Sequence, residues 1–236
     1  MINKAHDRTI ALLGKEQFQI LRESKVLIVG VGGVGGYAVE TLVRAGIGKL
    51  VLVDFDDFEE SNLNRQLGAL QQNIGKSKVH GWYQRIQEIH PEILVDAYVD
   101  RVTSTNIDTY IKDMDMILDM CDDLNAKVAM IHHAASHGIP IISAMGAGNR
   151  IDISHLKFTT LDKTRYCPLA KRLRKLVDLS EQKVTPVLYY DNEIYKSGDI
   201  VGTISYAPAY MGIRAGAEAI QILLKGGFHD SHRLGS

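Results

Sequence analysis

Cysteine is scarce. The 236 residues hold only Cys121 and Cys167, and neither belongs to a C-x-x-C pair. A disulfide framework and a cysteine-rich zinc site are therefore not expected. Long apolar runs are missing too: no stretch approaches the roughly 18 to 20 residues needed to cross a bilayer. The start, MINKAHDRTI, lacks the apolar segment of a secretory signal, so the cytoplasm is the expected address and no membrane is involved. Formal net charge is only -1, and the molecule as a whole does not attract a polyanion. No Pro/Ser-rich linker, internal repeat or low-complexity tract divides the chain.

What is present is an ordinary globular composition, 45% hydrophobic and 23% charged, in a length that suits one large α/β domain. Val26–Val29 and Leu50–Val53 are unbroken apolar runs, as expected of strands covered on both faces. Ile93–Val99, Met116–Asp119 and Ile139–Ser143 read as three more strands. Helical stretches fall at Gly35–Ala45, Lys76–Ile89, Thr105–Asp113 and Asn125–His137. This alternation predicts an α/β fold, a Rossmann-like doubly wound and mostly parallel sheet with helices on both faces.

The pattern changes near residue 150. Ile151–Leu161 reads as a strand or hairpin and Pro168–Leu176 as a short basic helix. Lys183–Tyr190 and Ile200–Ser205 suggest two further strands, and Pro208–Leu224 an apolar helix. The reading is a single domain over 1–236, with a core at 1–150 and an appended C-terminal β/α half at 151–236.

The sharpest local feature is the run Gly30-Val31-Gly32-Gly33-Val34-Gly35-Gly36, directly after a strand and opening a helix. Such a turn lets backbone approach phosphates, and a helix start presents unpaired N–H groups to an anion. Asp54 ends the next strand, where a carboxylate can accept hydrogen bonds from ribose hydroxyls. A tight packing turn without ligand and an NAD site are the alternatives. Arg65 and Lys78 follow, and two cations aimed at the crevice suit the splitting of a triphosphate better than hydride transfer. At the end of a third core strand, Asp119-Met120-Cys121-Asp122-Asp123 offers carboxylates for Mg²⁺. Asp122 is the first candidate and Asp119 the second, while Asp123 is placed to cap the following helix.

The succession Gly30-x-Gly32-Gly33-x-Gly35, Asp54, Ser-Asn-Leu-Asn-Arg-Gln at 61–66, Lys78 and Asp122 resembles the ubiquitin-activating-enzyme-like superfamily, which includes bacterial activators in thiamine and molybdopterin synthesis. The resemblance covers roughly residues 8–150 and implies a ThiF-type domain that binds ATP with Mg²⁺ and forms an acyl-adenylate. It assigns ribose binding to Asp54, nucleotide and phosphate contacts to Asn62, Arg65 and Lys78, and magnesium to Asp122. It also matches Arg8 to an arginine presented across a homodimer interface to the partner's nucleotide. The 151–236 half is then the substrate-binding and dimer-packing part.

The second half narrows the expectation. Leu161-Asp162-Lys163-Thr164 followed by Pro168-Leu169-Ala170-Lys171-Arg172-Leu173-Arg174 resembles tRNA threonylcarbamoyladenosine dehydratases. From Lys163 to Val177 there are six basic residues (Lys163, Arg165, Lys171, Arg172, Arg174, Lys175) and no acidic one. Clustered cations of this kind bind phosphates without reading sequence, and a face that merely aids solubility is the alternative. The expected reaction is ATP-dependent adenylation of the threonyl carboxylate of the modified tRNA nucleoside and its closure to a cyclic form. The alternative is activation of a ubiquitin-like sulfur-carrier protein, and a sulfur-transfer partner belongs to the expectation. The carrier activators' paired C-x-x-C motifs are absent. Cys167 has cationic neighbours as a reactive thiol would, whereas Cys121 reads as a packed residue. His133 and His137 lie four apart on a helix but show no third ligand in the sequence, and read as surface histidines.

Overall fold

Lys25–Val29 (β1) and Lys49–Val53 (β2) are buried almost from end to end, because helices cover both faces of the sheet they form. In the computed structural model, which describes residues 4–195, 198 and 200–226, Leu94–Tyr98 (β3), Met116–Asp119 (β4), Ile141–Ala144 (β5), Leu156–Thr160 (β6) and Pro186–Tyr190 (β7) complete one seven-stranded sheet. Its order is β3-β2-β1-β4-β5-β7-β6. All neighbours are parallel except β6, which runs antiparallel to β7 at the edge. The fold is thus the Rossmann-like α/β architecture expected, and the order reverses direction between β1 and β4.

Alternate side chains of the central strands feed two cores. Val26, Ile28, Leu50 and Leu52 face helices Gly35–Ala45 (α3), Lys78–Ile89 (α4) and Tyr206–Leu224 (α9). Leu27, Val29, Val51 and Val53 face Ile107–Ile111 (α5), Leu124–His137 (α6) and Pro168–Leu173 (α7). Two further helices, Asp7–Leu13 (α1) and Lys15–Glu23 (α2), precede the sheet, and Leu179–Val184 (α8) lies before β7. Helix α9 lies directly on α3: a Cβ at Gly212 would fall 2.1 Å from the carbonyl oxygen of Val34, and one at Gly216 would fall 2.7 Å from Cβ of Thr41. No helix among the described residues is long and apolar enough to cross a membrane.

Three expectations shift. The strand within 151–161 is confined to Leu156–Thr160, behind a short 3-10 turn at Ile153–His155. Lys183 and Val184 close a helix that the capping pair Asp178 and Glu181 starts, and the strand begins only at Pro186. Residues 201–204 are not a strand, because β7 already has β5 and β6 on its two sides. The backbone groups there bond to loops instead: Asn149 N donates to Gly202 O (2.7 Å), Gly202 N donates to Oδ1 of Asn149 (2.6 Å), and Nδ2 of Asn64 donates to Thr203 O (3.2 Å).

Candidate active site

The glycine-rich turn leaves β1 at Gly30, whose φ of +86° sits in the left-handed region where L side chains are strained. A Cβ there would also meet the backbone of Cys121 at 2.8 Å, and one at Gly35 would fall 1.8 Å from Gly30 O. Both glycines are therefore demanded by the protein itself, so that α3 and the β4–α6 loop can close on the turn. Gly32 and Gly33 differ. Their nearest neighbours to a built Cβ are Nε2 of Gln66 at 3.5 Å and Cβ of Pro208 at 3.4 Å, ordinary contact distances. Packing does not require these two to be glycine, and both border an open cavity.

That cavity, of about 430 Å³, opens at the carboxyl ends of β1, β2, β4 and β5. This is the position where doubly wound sheets bind nucleotides. Gly30, Gly32, Gly33 and Asp54 form part of its wall, with Asn62, Arg65, Lys78 and Asp122 joining them. Gly35 lies buried behind the turn. The residues singled out for nucleotide and metal thus converge on one space.

Asp54, 8% exposed, accepts hydrogen bonds from the N–H of Val31 (2.8 Å) and of Asp56 (2.9 Å). Burial pushes its carboxyl pKa up, while the Asp56 N–H, the Lys78 charge and the Val31 N–H pull it back. Lys78 opens α4 and, although 5% exposed, keeps Nζ 2.7 Å from Oδ2 of Asp56. Nη1 of Arg65 donates to Ser61 O (2.7 Å) and Oδ1 of Asn64 (2.9 Å), which ties its guanidinium to its own turn. Asn62 is buried and accepts the Glu59 N–H at Oδ1 (3.1 Å), closing the 3-10 turn Glu60–Asn62 that carries Arg65 to the cavity.

The carboxylates at the end of β4 and just beyond it separate into three roles. Asp119 is fully buried. Nζ of Lys127 donates to both of its oxygens at 3.0 Å, and Oγ of Ser143 adds a third bond. Its place as second metal candidate is overturned, because a lysine already neutralises it. Asp123 caps α6, accepting from the N–H groups of Asn125 (2.9 Å) and Ala126 (3.2 Å). Asp122 is exposed, borders the cavity and, among the described residues, has neither hydrogen bond nor ion pair. A free carboxylate at the wall of this space suits Mg²⁺, which takes one or two carboxylates and leaves its other positions to water and phosphate oxygens.

Other wall residues escaped the sequence reading. Gln66 borders the cavity and is buried, with Oε1 lacking any hydrogen-bond partner. Its position after Arg65 in the Ser-Asn-Leu-Asn-Arg-Gln run was the available signal. Arg101 stacks its guanidinium over Phe55 at 3.9 Å and pairs with Asp123 at 2.7 Å. No motif marks it, since both partners are distant in sequence.

Arg8 is exposed on the first helix and does not border the cavity of its own chain. Cys167 is buried beside Ala170 and Leu173 and so does not match an accessible reactive thiol. The Cys121 thiol borders the cavity and donates to Oδ1 of Asp119 at 3.3 Å; burial and then the Asp119 charge push its pKa well up. Of the six basic residues at 163–175, Lys163, Arg165, Lys171, Arg172 and Lys175 are exposed. Arg174 instead donates to the Thr164 carbonyl (2.9 Å) and to the Thr164 hydroxyl. Leu169 of α7 reaches the cavity wall, so the basic helix adjoins the site.

The tRNA threonylcarbamoyladenosine dehydratase of Escherichia coli (strain K12) is 37% identical over 168 residues, and that of Bacillus subtilis (strain 168) is 36% identical over 181 residues. The aligned stretches cover 71% and 76% of this chain, and 63% and 71% of those relatives. The crystal structure of the E. coli tRNA N6-threonylcarbamoyladenosine dehydratase with ATP superposes with a TM-score of 0.89 at 30% identity, covering 96% of this chain and 98% of that one. The ThiF family profile matches residues 6–234. With the glycine turn, Asp54, Arg65, Lys78 and Asp122 gathered on one wall, this chain belongs to the ThiF family.

Proposed function

We propose that the chain is an ATP-dependent dehydratase that adenylates the threonyl carboxylate of N6-threonylcarbamoyladenosine in tRNA and closes it to the cyclic form. The observation that carries the reading is the shared cavity. A glycine turn with room at Gly32 and Gly33, two cations and a free carboxylate line one space, and the similar E. coli enzyme was crystallised in complex with ATP.

The triphosphate lies along the turn with its ribose at Asp54. The substrate carboxylate attacks the α-phosphorus, the bond to the β-phosphate oxygen breaks, and pyrophosphate leaves. Arg65 and Lys78 stabilise the charge that gathers on the leaving group. Asp122 is the residue that would hold magnesium, which when bound neutralises phosphate charge. The substrate's own carbamoyl group then attacks the activated carbonyl carbon, loses a proton, and displaces AMP, which carries away one carboxylate oxygen. Ring closure is intramolecular, and well-oriented reactions of this type reach effective molarities of about 10⁵ to 10⁸ M. No cysteine is needed, in keeping with the burial of Cys167.

In this reading the enzyme works in the cytoplasm as a homodimer in which Arg8 reaches the partner's phosphates. The exposed cations Lys163, Arg165, Lys171, Arg172 and Lys175 hold the tRNA backbone, and 1–150 and 151–236 act as a single unit. The test is mass spectrometry of nucleosides from threonylcarbamoyl-modified tRNA incubated with the protein, ATP and Mg²⁺. Loss of one water from the modified nucleoside, with AMP formed in equal amount, is expected. Unchanged nucleoside, with pyrophosphate exchange that responds only to a sulfur-carrier protein, overturns the proposal.

A further inference from the structure

The structure supplies the ligand that the sequence did not reveal for His133 and His137. Asp108, on α5, stands over both histidines of α6, and one ligand atom from each of the three residues lies within 4.8 Å of the others. We propose that Asp108, His133 and His137 form a binding site for a divalent transition-metal ion of the zinc, cobalt or nickel class, separate from the nucleotide cavity.

Two details point to a metal rather than to a surface ion pair. Nδ1 of His133 is buried and lies 3.1 Å from Oδ1 of Asp108, yet the pair lacks hydrogen-bond geometry. Two ligand atoms that share an ion sit about this close without pointing at one another. Next, Nδ1 of His137 is 2.9 Å from the His133 carbonyl oxygen and 3.0 Å from Oγ of Ser136. Donation to that carbonyl puts the proton on Nδ1 and leaves the Nε2 lone pair free, the arrangement metal-binding histidines adopt when a carbonyl orients them.

The donor set decides the class of ion. Two imidazoles and one carboxylate suit borderline ions, whereas Mg²⁺ prefers oxygen alone. Bond lengths of about 2.0 to 2.2 Å put tetrahedral ligands about 3.4 Å apart. Reaching that spacing takes rotation of Asp108 and His137, both exposed, with water as fourth ligand. A bound ion would tie α5 to α6.

Cobalt titration of the tag-free chain, followed by visible absorption, tests the site. One Co²⁺ per chain with the intense bands of tetrahedral coordination is expected, and Asp108→Asn and His137→Ala should each weaken binding at least tenfold. Both side chains are exposed, so neither change touches the core. Absence of the tetrahedral bands in the parent protein overturns the proposal. So does a titration that Asp108→Asn leaves unchanged, since the ion would then be held without the third ligand.

Discussion

Nζ of Lys78 and Oδ2 of Asp56 lie 2.7 Å apart at the cavity wall, with the lysine side chain 7% exposed and the aspartate side chain 47% exposed. The aspartate keeps a nearly buried ammonium in place while its own charge stays partly in water. Lys78→Met retains the stem and removes the charge. Turnover of modified tRNA should fall by about 10² to 10³-fold, the loss typical of removing one group that stabilises developing charge. Thermal unfolding should change little, because Asp56 can resolvate. The comparison is AMP formation against melting temperature.

Gly32→Ala and Gly35→Ala should separate ligand binding from folding. The first meets only ordinary contacts in the protein, so stability is kept while the dissociation constant for ATP rises at least tenfold. The second collides with Gly30 O and should lower stability by about 1–3 kcal/mol or more through forced backbone shifts. Calorimetry of ATP binding and denaturant unfolding of each variant give the two readouts.

Asp122→Asn should leave the fold untouched, since its carboxylate has no partner among the described residues. Activity should drop about 10²-fold or more at ordinary Mg²⁺, with the Mg²⁺ dependence moved to higher concentration. Chelation of Mg²⁺ should silence the parent enzyme. A variant with the parent's Mg²⁺ titration would remove Asp122 from the metal's ligands.

Much of this site was legible because its signals are local. The apolar runs of β1 and β2, the glycine turn between strand and helix, and Asp54 at a strand end are all read over a few residues. What was hidden depends on contacts across the sheet. Arg101 rests on Phe55 and Asp123, and Asp119 looked like a metal ligand until Lys127 and Ser143 closed around it. The apolar alternation at 200–205 suggested a strand. Its backbone partners are Asn64 and Asn149, which no pattern within the segment discloses.

The exposed cations and Arg174 should behave differently. Replacing Lys171, Arg172 and Lys175 together by alanine should weaken tRNA binding and reduce the salt slope by about 2–3, close to one per lost phosphate contact. Arg174→Ala breaks bonds to Thr164 and should instead destabilise the protein by about 1–2 kcal/mol. Filter binding across a salt series and thermal melts separate the two.

His6 and His90 give the fold a pH dependence at the far end of the sheet. Their rings stack at 4.4 Å with their Nε2 atoms in contact. Burial, and then the mutual charge and Arg22, lowers the pKa of His6; burial and then Arg22 lowers that of His90. The unfolded chain takes up these protons first, so stability is full above about pH 6.5 and falls as pH drops below it. Melting temperature should decline between pH 7.5 and 5.5, and His90→Gln should flatten that decline.

The close seating of α9 against α3, with Gly212 and Gly216 where any side chain would collide, reaches beyond packing. The helix that opens from the glycine turn rests its back on the last helix of the described chain, so that turn is supported by residues more than 170 positions away from it. A fragment ending at residue 150 would present the flank of α3 to water. Its glycine turn would then lose the wall that holds it in register, and the ability to grip a triphosphate would go with it.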